Sequence, residues 1–254
     1  MSGSSVRYFR GPDGLRLAYR ERGQGRPLVL LHSYLATAEA TWIKSGIAAA
    51  IARHGYRVIM PDMRGHGDSA RPHDPAAYPP DVLADDGLLL VEQLGLTGYD
   101  LGGYSLGGRT VVRMLARGAA PGRAVVGGQG LEAVLHTAGR GGRFRHLLSS
   151  FGTFEPGSPE QAMEDRLKAA GADPEALVNI PDTFASTSPD ELTAIMVPVL
   201  VLTGAEDGHD ETAAALADAL PGGQYLRLPG NHYSALITPE FTAAVTGFLD
   251  SSPG

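Results

Sequence analysis

The sequence of 254 residues predicts an α/β fold with a mostly parallel sheet that carries helices on both faces. First, strand-like and helix-like segments alternate over most of the chain. Second, the short and wholly apolar run Leu28–Leu31 is typical of a strand buried in a parallel sheet. Third, the alternation stops between about residues 131 and 193 and then resumes. An insertion above one end of the sheet would explain this interruption.

The individual elements follow from polarity patterns and turn residues. Val6–Arg10 and Leu15–Arg20 alternate around the turn Gly11-Pro12-Asp13-Gly14, which predicts an antiparallel hairpin. Six further strands are expected at 28–31, 56–60, 99–104, 123–127, 197–203 and 224–228, which makes eight in all. Helical spacing is found at 42–54, 81–94, 106–117, 210–219 and 238–249. Gly55 and Gly95 are expected to end the first two helices, and Asp81 to cap the second.

The interrupted stretch divides the chain into three parts. Residues 1–130 and 194–254 form the two parts of the core, and residues 131–193 form the insertion. Glycine and proline residues recur along the insertion and interrupt regular structure there. Short amphipathic helices fit between them at Phe144–Phe151, Pro159–Ala170 and Pro174–Asn179.

Composition narrows the classes of partner. The formal net charge of -7 argues against nucleic acid and against an anionic membrane surface. Cysteine is absent, so disulfides, thiolate nucleophiles and Cys-ligated metals are excluded. No apolar run is long enough to span a bilayer, and Met1–Arg10 lacks the apolar stretch of a secretion signal. A cytoplasmic location is therefore the default expectation.

The sequence Gly103-Tyr104-Ser105-Leu106-Gly107 matches the pattern G-x-S-x-G between a predicted strand and a predicted helix. This context predicts a nucleophile elbow, a strained turn that projects the Ser105 hydroxyl above the sheet edge. Small residues are needed at 103 and 107 because the turn is so tight. The N-terminus of the following helix would add its dipole and free N–H groups. The alternative is a glycine-rich loop with an ordinary serine.

A serine hydroxyl needs a base, and the base needs an orienting acid. Asp207 follows the strand 197–203, and His232 follows the strand 224–228 in the sequence Gly230-Asn231-His232. Open α/β sheets bind ligands at this carboxyl edge of the strands. Among the alternatives, Glu206 is expected to face solvent and Asp210 to cap the next helix. His232 itself could be an ordinary loop histidine.

A tetrahedral oxyanion needs two preorganised N–H donors. One is expected from the backbone of Leu106, the residue after the nucleophile. The other is expected from His32-Ser33-Tyr34, with the Tyr34 N–H preferred and the Ser33 N–H second. The alternative for this loop is a plain connection between a strand and a helix.

These motifs together resemble the α/β-hydrolase superfamily, in particular small bacterial esterase-like members with a helical cap. The resemblance rests on residues 30–34, 61–69, 103–108, 204–207 and 230–232. Arg64, His66, Asp68 and Ser69 could be taken for a second catalytic cluster or a metal site, but the resemblance implies that they stabilise a turn. One departure is Ser33, where the family usually has glycine.

The resemblance also implies a substrate pocket between the sheet edge and the cap. The candidate substrate-binding residues are Ser33, Leu35, Tyr104, Phe144, Leu148, Phe151 and Tyr233. For the aromatic residues of the cap, packing among the cap helices is the alternative. His136 and His146 could touch a polar substrate group but are expected at the surface.

The predicted function is a serine hydrolase that acts on a small ester, thioester or lactone through an acyl-enzyme, without a cofactor or metal. Its partner would be a small-molecule acyl substrate, and the protein would be a monomer or homodimer. One alternative uses the same triad in an acyltransferase, a cyclase or lyase, or a perhydrolase. A second is a ligand-binding receptor or pseudo-enzyme. Serine at the elbow argues against a haloalkane dehalogenase or epoxide hydrolase, because the resembling families build these on aspartate.

Overall fold

The computed structural model describes residues 5–137 and 141–251, and within them eight strands form one sheet. The strands are β1 Arg7–Arg10, β2 Arg16–Arg22, β3 Arg26–Leu31, β4 Tyr56–Pro61, β5 Asp100–Tyr104, β6 Ala124–Gly127, β7 Val199–Gly204 and β8 Gly223–Leu228. Their spatial order is β1-β2-β4-β3-β5-β6-β7-β8. β2 pairs antiparallel with β1 and β4, and every other pair is parallel. The predicted fold class is confirmed.

Helices cover both faces of this sheet. The α-helices of the described residues are α1 Ile47–Ala52, α2 Val82–Gln93, α3 Leu106–Ala116, α4 Leu131–Leu135, α5 Gly142–Ser149, α6 Pro159–Ala169, α7 Pro174–Leu177, α8 Pro189–Thr193, α9 Asp210–Asp218 and α10 Pro239–Asp250. Along β3, Val29 and Leu31 join the apolar cluster under α2, α3 and α9. Leu28 and Leu30 join the opposite cluster under α1 and α10. Burial on both faces explains why the run Leu28–Leu31 of β3 is wholly apolar.

Two local expectations were wrong. The predicted helix 42–54 is broken into a π-helical segment, Glu39–Lys44, and α1, because Gly46 between them has a φ of 84°. Asp81 precedes α2 but does not cap it through its side chain. Its carboxylate instead accepts two hydrogen bonds from Arg113, at 2.8 and 2.6 Å.

Residues 131–193 connect β6 to β7 through short helices, with 138–140 outside the described residues. The three predicted helices are present as α5, α6 and α7, and the described residues also contain α4 and α8. Ser158 caps α6 and Ser188 caps α8, each through its hydroxyl. Buried leucines at 148, 167, 177 and 192 anchor this helical segment on the core.

The turn after β4 contains the polar cluster of residues 61–69, and its side chains are engaged in structural bonds. Arg64 is fully buried and binds Asp86 through two hydrogen bonds of 3.0 and 2.9 Å, and it also pairs with Asp13. Burial raises the pKa of Asp86 to about 6, although Arg64 opposes this. In the described part of the chain no group of three or more histidine or acidic side chains could hold a metal. Likewise, none of its helices is long and apolar enough to cross a bilayer.

Candidate active site

Ser105 lies between the end of β5 and the start of α3 with φ 57° and ψ -113°. Positive φ is rare for residues other than glycine and costs about 1–3 kcal/mol. The surrounding structure holds the turn in place. The Ser105 N–H donates to Gly127 O at 2.8 Å, and the Gln129 side-chain amide donates to Ser105 O at 2.8 Å.

Gly103 and Gly107 are required by close approach of the backbone. A Cβ atom on Gly103 would lie 2.3 Å from the carbonyl group of Gly107. A Cβ atom on Gly107 would lie 2.1 Å from the carbonyl oxygen of Leu31. Both distances are far inside van der Waals contact, so the turn can form only with glycine at these positions.

Three side chains from three strand ends meet at the carboxyl edge of the sheet. His232 Nε2 lies 3.0 Å from Ser105 Oγ, and His232 Nδ1 lies 2.8 Å from Asp207 Oδ2. Burial alone would raise the pKa of Asp207. The hydrogen bond and charge of His232, together with the His209 backbone N–H at 3.0 Å, lower it below its ordinary value. Asp207 is therefore ionised beside the imidazole.

The two competing acids point elsewhere. Glu206 is exposed, as expected. Asp210 lies in the first turn of α9 but does not cap it, contrary to expectation. Its Oδ1 instead accepts hydrogen bonds from the Tyr225 hydroxyl at 2.6 Å and from Arg227 Nε at 3.0 Å.

Tyr104 lies beneath the base and not in the substrate cleft. It is only 1% exposed, and its hydroxyl donates to the backbone carbonyl of His232 at 2.8 Å. Its ring lies 5.5 Å from the imidazole and 5.8 Å from the ring of Phe241. The expectation that Tyr104 binds substrate is thus corrected, because its ring is packed into the core below the sheet edge.

The two candidate oxyanion donors lie near Ser105. Tyr34, Ser105 and Leu106 line one cleft. Within residues 5–137 and 141–251, neither the Leu106 N–H nor the Tyr34 N–H donates to a protein acceptor. Both groups are thus without an acceptor in this part of the chain.

His32 fixes the loop that carries Tyr34. Its Nδ1 binds Ser33 O at 2.8 Å, and its Nε2 accepts from the Met63 N–H at 2.9 Å. Burial and the neighbouring His66 lower the pKa of His32 to about 3, so the ring is neutral and can accept at Nε2.

The cleft over Ser105 has a volume of about 530 Å³. Of the predicted residues, Tyr34, Leu106, Phe144 and Tyr233 line it together with the three residues at the strand ends. An adjoining groove of about 400 Å³ shares Phe144 and Tyr233 with the cleft and is also lined by Leu35. The exposed His146 lines this groove too.

Three other predicted substrate residues are not among those that line the cleft or the groove. Leu148 is 4% exposed and belongs to the apolar core. Phe151 packs against the same core, with Lys168 Nζ 6.0 Å from its ring. Ser33 lies in the loop beside the cleft, where its carbonyl oxygen binds His32.

The cleft also contains residues that the sequence did not single out: Arg109, Gln129, Arg143, Phe184 and His209. Gln129 lies two residues after β6. Like Asp207 and His232, it follows a parallel strand, so its place at the carboxyl edge of the sheet could have been predicted from the sequence. Arg109 lies one helical turn after Ser105. Its Nη2 donates to Ala133 O at 2.5 Å, and its guanidinium lies 4.8 Å from the ring centre of Phe184. Arg143, Phe184 and His209 belong to no sequence motif that would have identified them.

Comparison with known proteins points to one fold. A family model described as alpha/beta hydrolase fold matches residues 26–127. Over 105 residues the chain is 36% identical to non-heme chloroperoxidase CPO-A1 of Kitasatospora aureofaciens, a stretch that covers 41% of this chain and 36% of that protein. The matched stretch therefore spans well under half of that relative's length.

Similarity to solved structures extends over nearly the whole chain. A hydrolase from Pseudomonas aeruginosa PA01 superposes with a TM-score of 0.79 at 22% identity, over 98% of this chain and 100% of the other. An esterase from Exiguobacterium antarcticum gives a TM-score of 0.77 at 21% identity, over 97% and 100%. Together with the eight-stranded sheet and the elbow at Ser105, these matches show that the chain has the α/β-hydrolase fold.

Proposed function

We propose that this protein is a serine hydrolase that cleaves a small ester, thioester or lactone through an acyl-enzyme. The observation that carries the proposal is the continuous chain of hydrogen bonds from Asp207 through His232 to Ser105. Such a chain gives a serine hydroxyl the base and the orienting acid that nucleophilic attack requires.

In the acylation step, Ser105 Oγ attacks the substrate carbonyl carbon while His232 Nε2 takes the hydroxyl proton. The ionised Asp207 accepts the Nδ1–H of His232, which fixes the tautomer and stabilises the imidazolium. The tetrahedral intermediate then collapses, its bond to the leaving group breaks, and His232 returns the proton to that group.

The charge that develops on the carbonyl oxygen would be bound by the N–H groups of Leu106 and Tyr34. Leu106 supplies a donor at the start of α3, where the helix dipole also favours negative charge. Tyr34 supplies the second donor from a loop held by His32. Loss of one such donor typically lowers kcat by about 10²–10³-fold.

Deacylation repeats the sequence with water. His232 removes a proton from water, the hydroxide attacks the acyl carbon, and Ser105 Oγ leaves with the proton. Attack, proton transfer and charge stabilisation all come from side chains and backbone of this chain, so the proposed reaction uses no cofactor. The cleft volume of about 530 Å³ is in the range of sites for small-molecule ligands.

The test compares 4-nitrophenyl butyrate hydrolysis by the wild type, Ser105→Ala and Ser149→Ala. Ser149 is an exposed serine at the end of α5 and serves as the matched control. Ser105→Ala should lower kcat by about 10⁴-fold or more, and Ser149→Ala should leave it unchanged. Undiminished hydrolysis by Ser105→Ala would overturn the proposal.

A second candidate function is perhydrolysis, which the similarity to a non-heme chloroperoxidase favours. Hydrogen peroxide would replace water in the second step, attack the acyl carbon and release a peracid with regeneration of Ser105. The peracid would then oxidise a halide ion. Bromination of monochlorodimedone in acetate, hydrogen peroxide and bromide, compared between the wild type and Ser105→Ala, tests this candidate.

A further inference from the structure

Arg143 is a cation at the mouth of the candidate active site without a neutralising partner in the described residues. It lines both the cleft over Ser105 and the adjoining groove. Within residues 5–137 and 141–251 it makes no hydrogen bond, ion pair or ring contact. Arg145, two residues further along α5, instead pairs with Asp182 at 2.8 Å. Arg143 therefore differs from Arg145, because it lines the cleft and has no ion-pair partner among the described residues.

The stability of α5 does not explain why an arginine occupies position 143. The helix begins at Gly142, so Arg143 lies in its first turn. The N-terminus of a helix carries partial positive charge, and a cation there is unfavourable. His146, in the last turn, occupies the end at which a cation is favourable. The position of Arg143 is therefore better explained by what it faces.

Acidic side chains are few among the described residues that line the cleft. Arg109 is only 8% exposed and lines the same cleft. Asp207 is the one acidic side chain among the described lining residues, and His232 engages it. Glu160 lines the adjoining groove, as Arg143 and His146 do, but among the described residues no ion pair joins it to Arg143. The net charge of the whole chain is -7, so the arginine at position 143 is a local positive charge that would attract anions to the cleft.

We propose that Arg143 is a specificity-determining residue that pairs with a carboxylate on the substrate, so that the preferred substrates are anionic esters or lactones. This inference rests on the proposed hydrolase function and names its substrate class. The planar guanidinium suits a carboxylate, which it can bind through two parallel N–H donors.

The experiment measures kcat and KM for two pairs of esters that differ only in charge. In one pair the charge is on the leaving group, with 4-carboxyphenyl acetate against 4-carbamoylphenyl acetate. In the other it is on the acyl group, with 4-nitrophenyl hydrogen glutarate against the 4-nitrophenyl ester of glutaramic acid. The enzymes are the wild type, Arg143→Gln and the matched control Arg145→Gln.

The wild type should prefer the carboxylate by about tenfold in kcat/KM in at least one pair, and added salt should weaken that preference. Arg143→Gln should bring the ratio close to one, mainly through KM, and Arg145→Gln should keep it. Equal use of charged and neutral esters by the wild type, or an unchanged ratio in Arg143→Gln, would overturn the inference. Failure of the hydrolase function would look different, because all four esters would then stay intact, and the inference would fall with it.

Discussion

The hydroxyl group of Tyr104 donates a 2.8 Å hydrogen bond to the backbone carbonyl of His232. This bond ties the residue before the candidate nucleophile to the candidate base. Burial, and secondarily the charge of Asp207, raises the pKa of Tyr104, so its hydroxyl stays protonated and remains a donor. The elbow and the loop after β8 are thereby fixed to each other as one unit.

Tyr104→Phe should weaken this unit without opening a cavity. The partly buried carbonyl of His232 loses its donor, which costs about 1 kcal/mol of unfolding free energy and lowers Tm by about 2–4 °C. The less firmly held imidazole should lower kcat severalfold. Thermal unfolding and ester kinetics check both effects.

Tyr225→Phe is the matched control. Its hydroxyl donates to Asp210 at 2.6 Å, away from the imidazole. This variant should lose stability while kcat stays unchanged. Equal kcat values for Tyr104→Phe and the wild type would contradict the role assigned to the hydrogen bond.

A methyl group at Gly107 should prevent the elbow from closing. The added Cβ would lie 2.1 Å from Leu31 O, a backbone atom in the central sheet that cannot move aside cheaply. We expect Gly107→Ala to lose most activity and several degrees of Tm, or to fail to fold. Gly247→Ala is the control, since Gly247 lies within α10 and a methyl group added there would meet no atom within 4 Å. It should be neutral or stabilising, and similar losses in both variants would contradict the account.

The sequence was sufficient to place the core elements and the three side chains at the strand ends. Strands with two buried faces are apolar throughout, and the residues that follow parallel strands meet at one edge. Ser105, Asp207 and His232 could therefore be located without any contact information. Gly46 was missed because the apolar spacing continues across it while its φ of 84° breaks the helix.

The walls of the cleft were harder to predict because they depend on how residues 131–193 pack on the core. On α5, Phe144 near the N-terminal end reaches the cleft, whereas Leu148 one turn later is buried in the core. Both positions look apolar in the sequence. Only the tertiary contacts distinguish a residue that lines a pocket from one that anchors a helix.

Arg64 should be essential to the turn after β4. Its removal would leave Asp86, which is 4% exposed, without its guanidinium partner. Arg64→Leu should lower the free energy of unfolding by about 3–5 kcal/mol. Arg64→Leu with Asp86→Leu should cost less than the sum of the two single variants. Urea unfolding measures the three values, and strict additivity would show that the two residues do not interact.

His73 should make a small, pH-dependent contribution to stability. It contacts Asp173 at 3.0 Å and Glu175 at 3.1 Å, and chiefly the hydrogen bond with Asp173 raises its pKa. Since the folded pKa exceeds the unfolded one, the contribution is complete below the unfolded pKa and is lost as pH rises through the folded pKa. The Tm difference between the wild type and His73→Gln should thus be larger at about pH 5.5 than at about pH 8.5. A difference independent of pH would contradict this.

If His232 activates Ser105 as a nucleophile, Ser105 should react with a fluorophosphonate. Labelling with this reagent is followed by mass spectrometry of the intact protein and its peptides. We expect a single adduct on the peptide that contains Ser105, no adduct on Ser105→Ala, and much slower labelling of His232→Ala. An adduct on another serine, or equal labelling of Ser105→Ala and the wild type, would contradict this expectation.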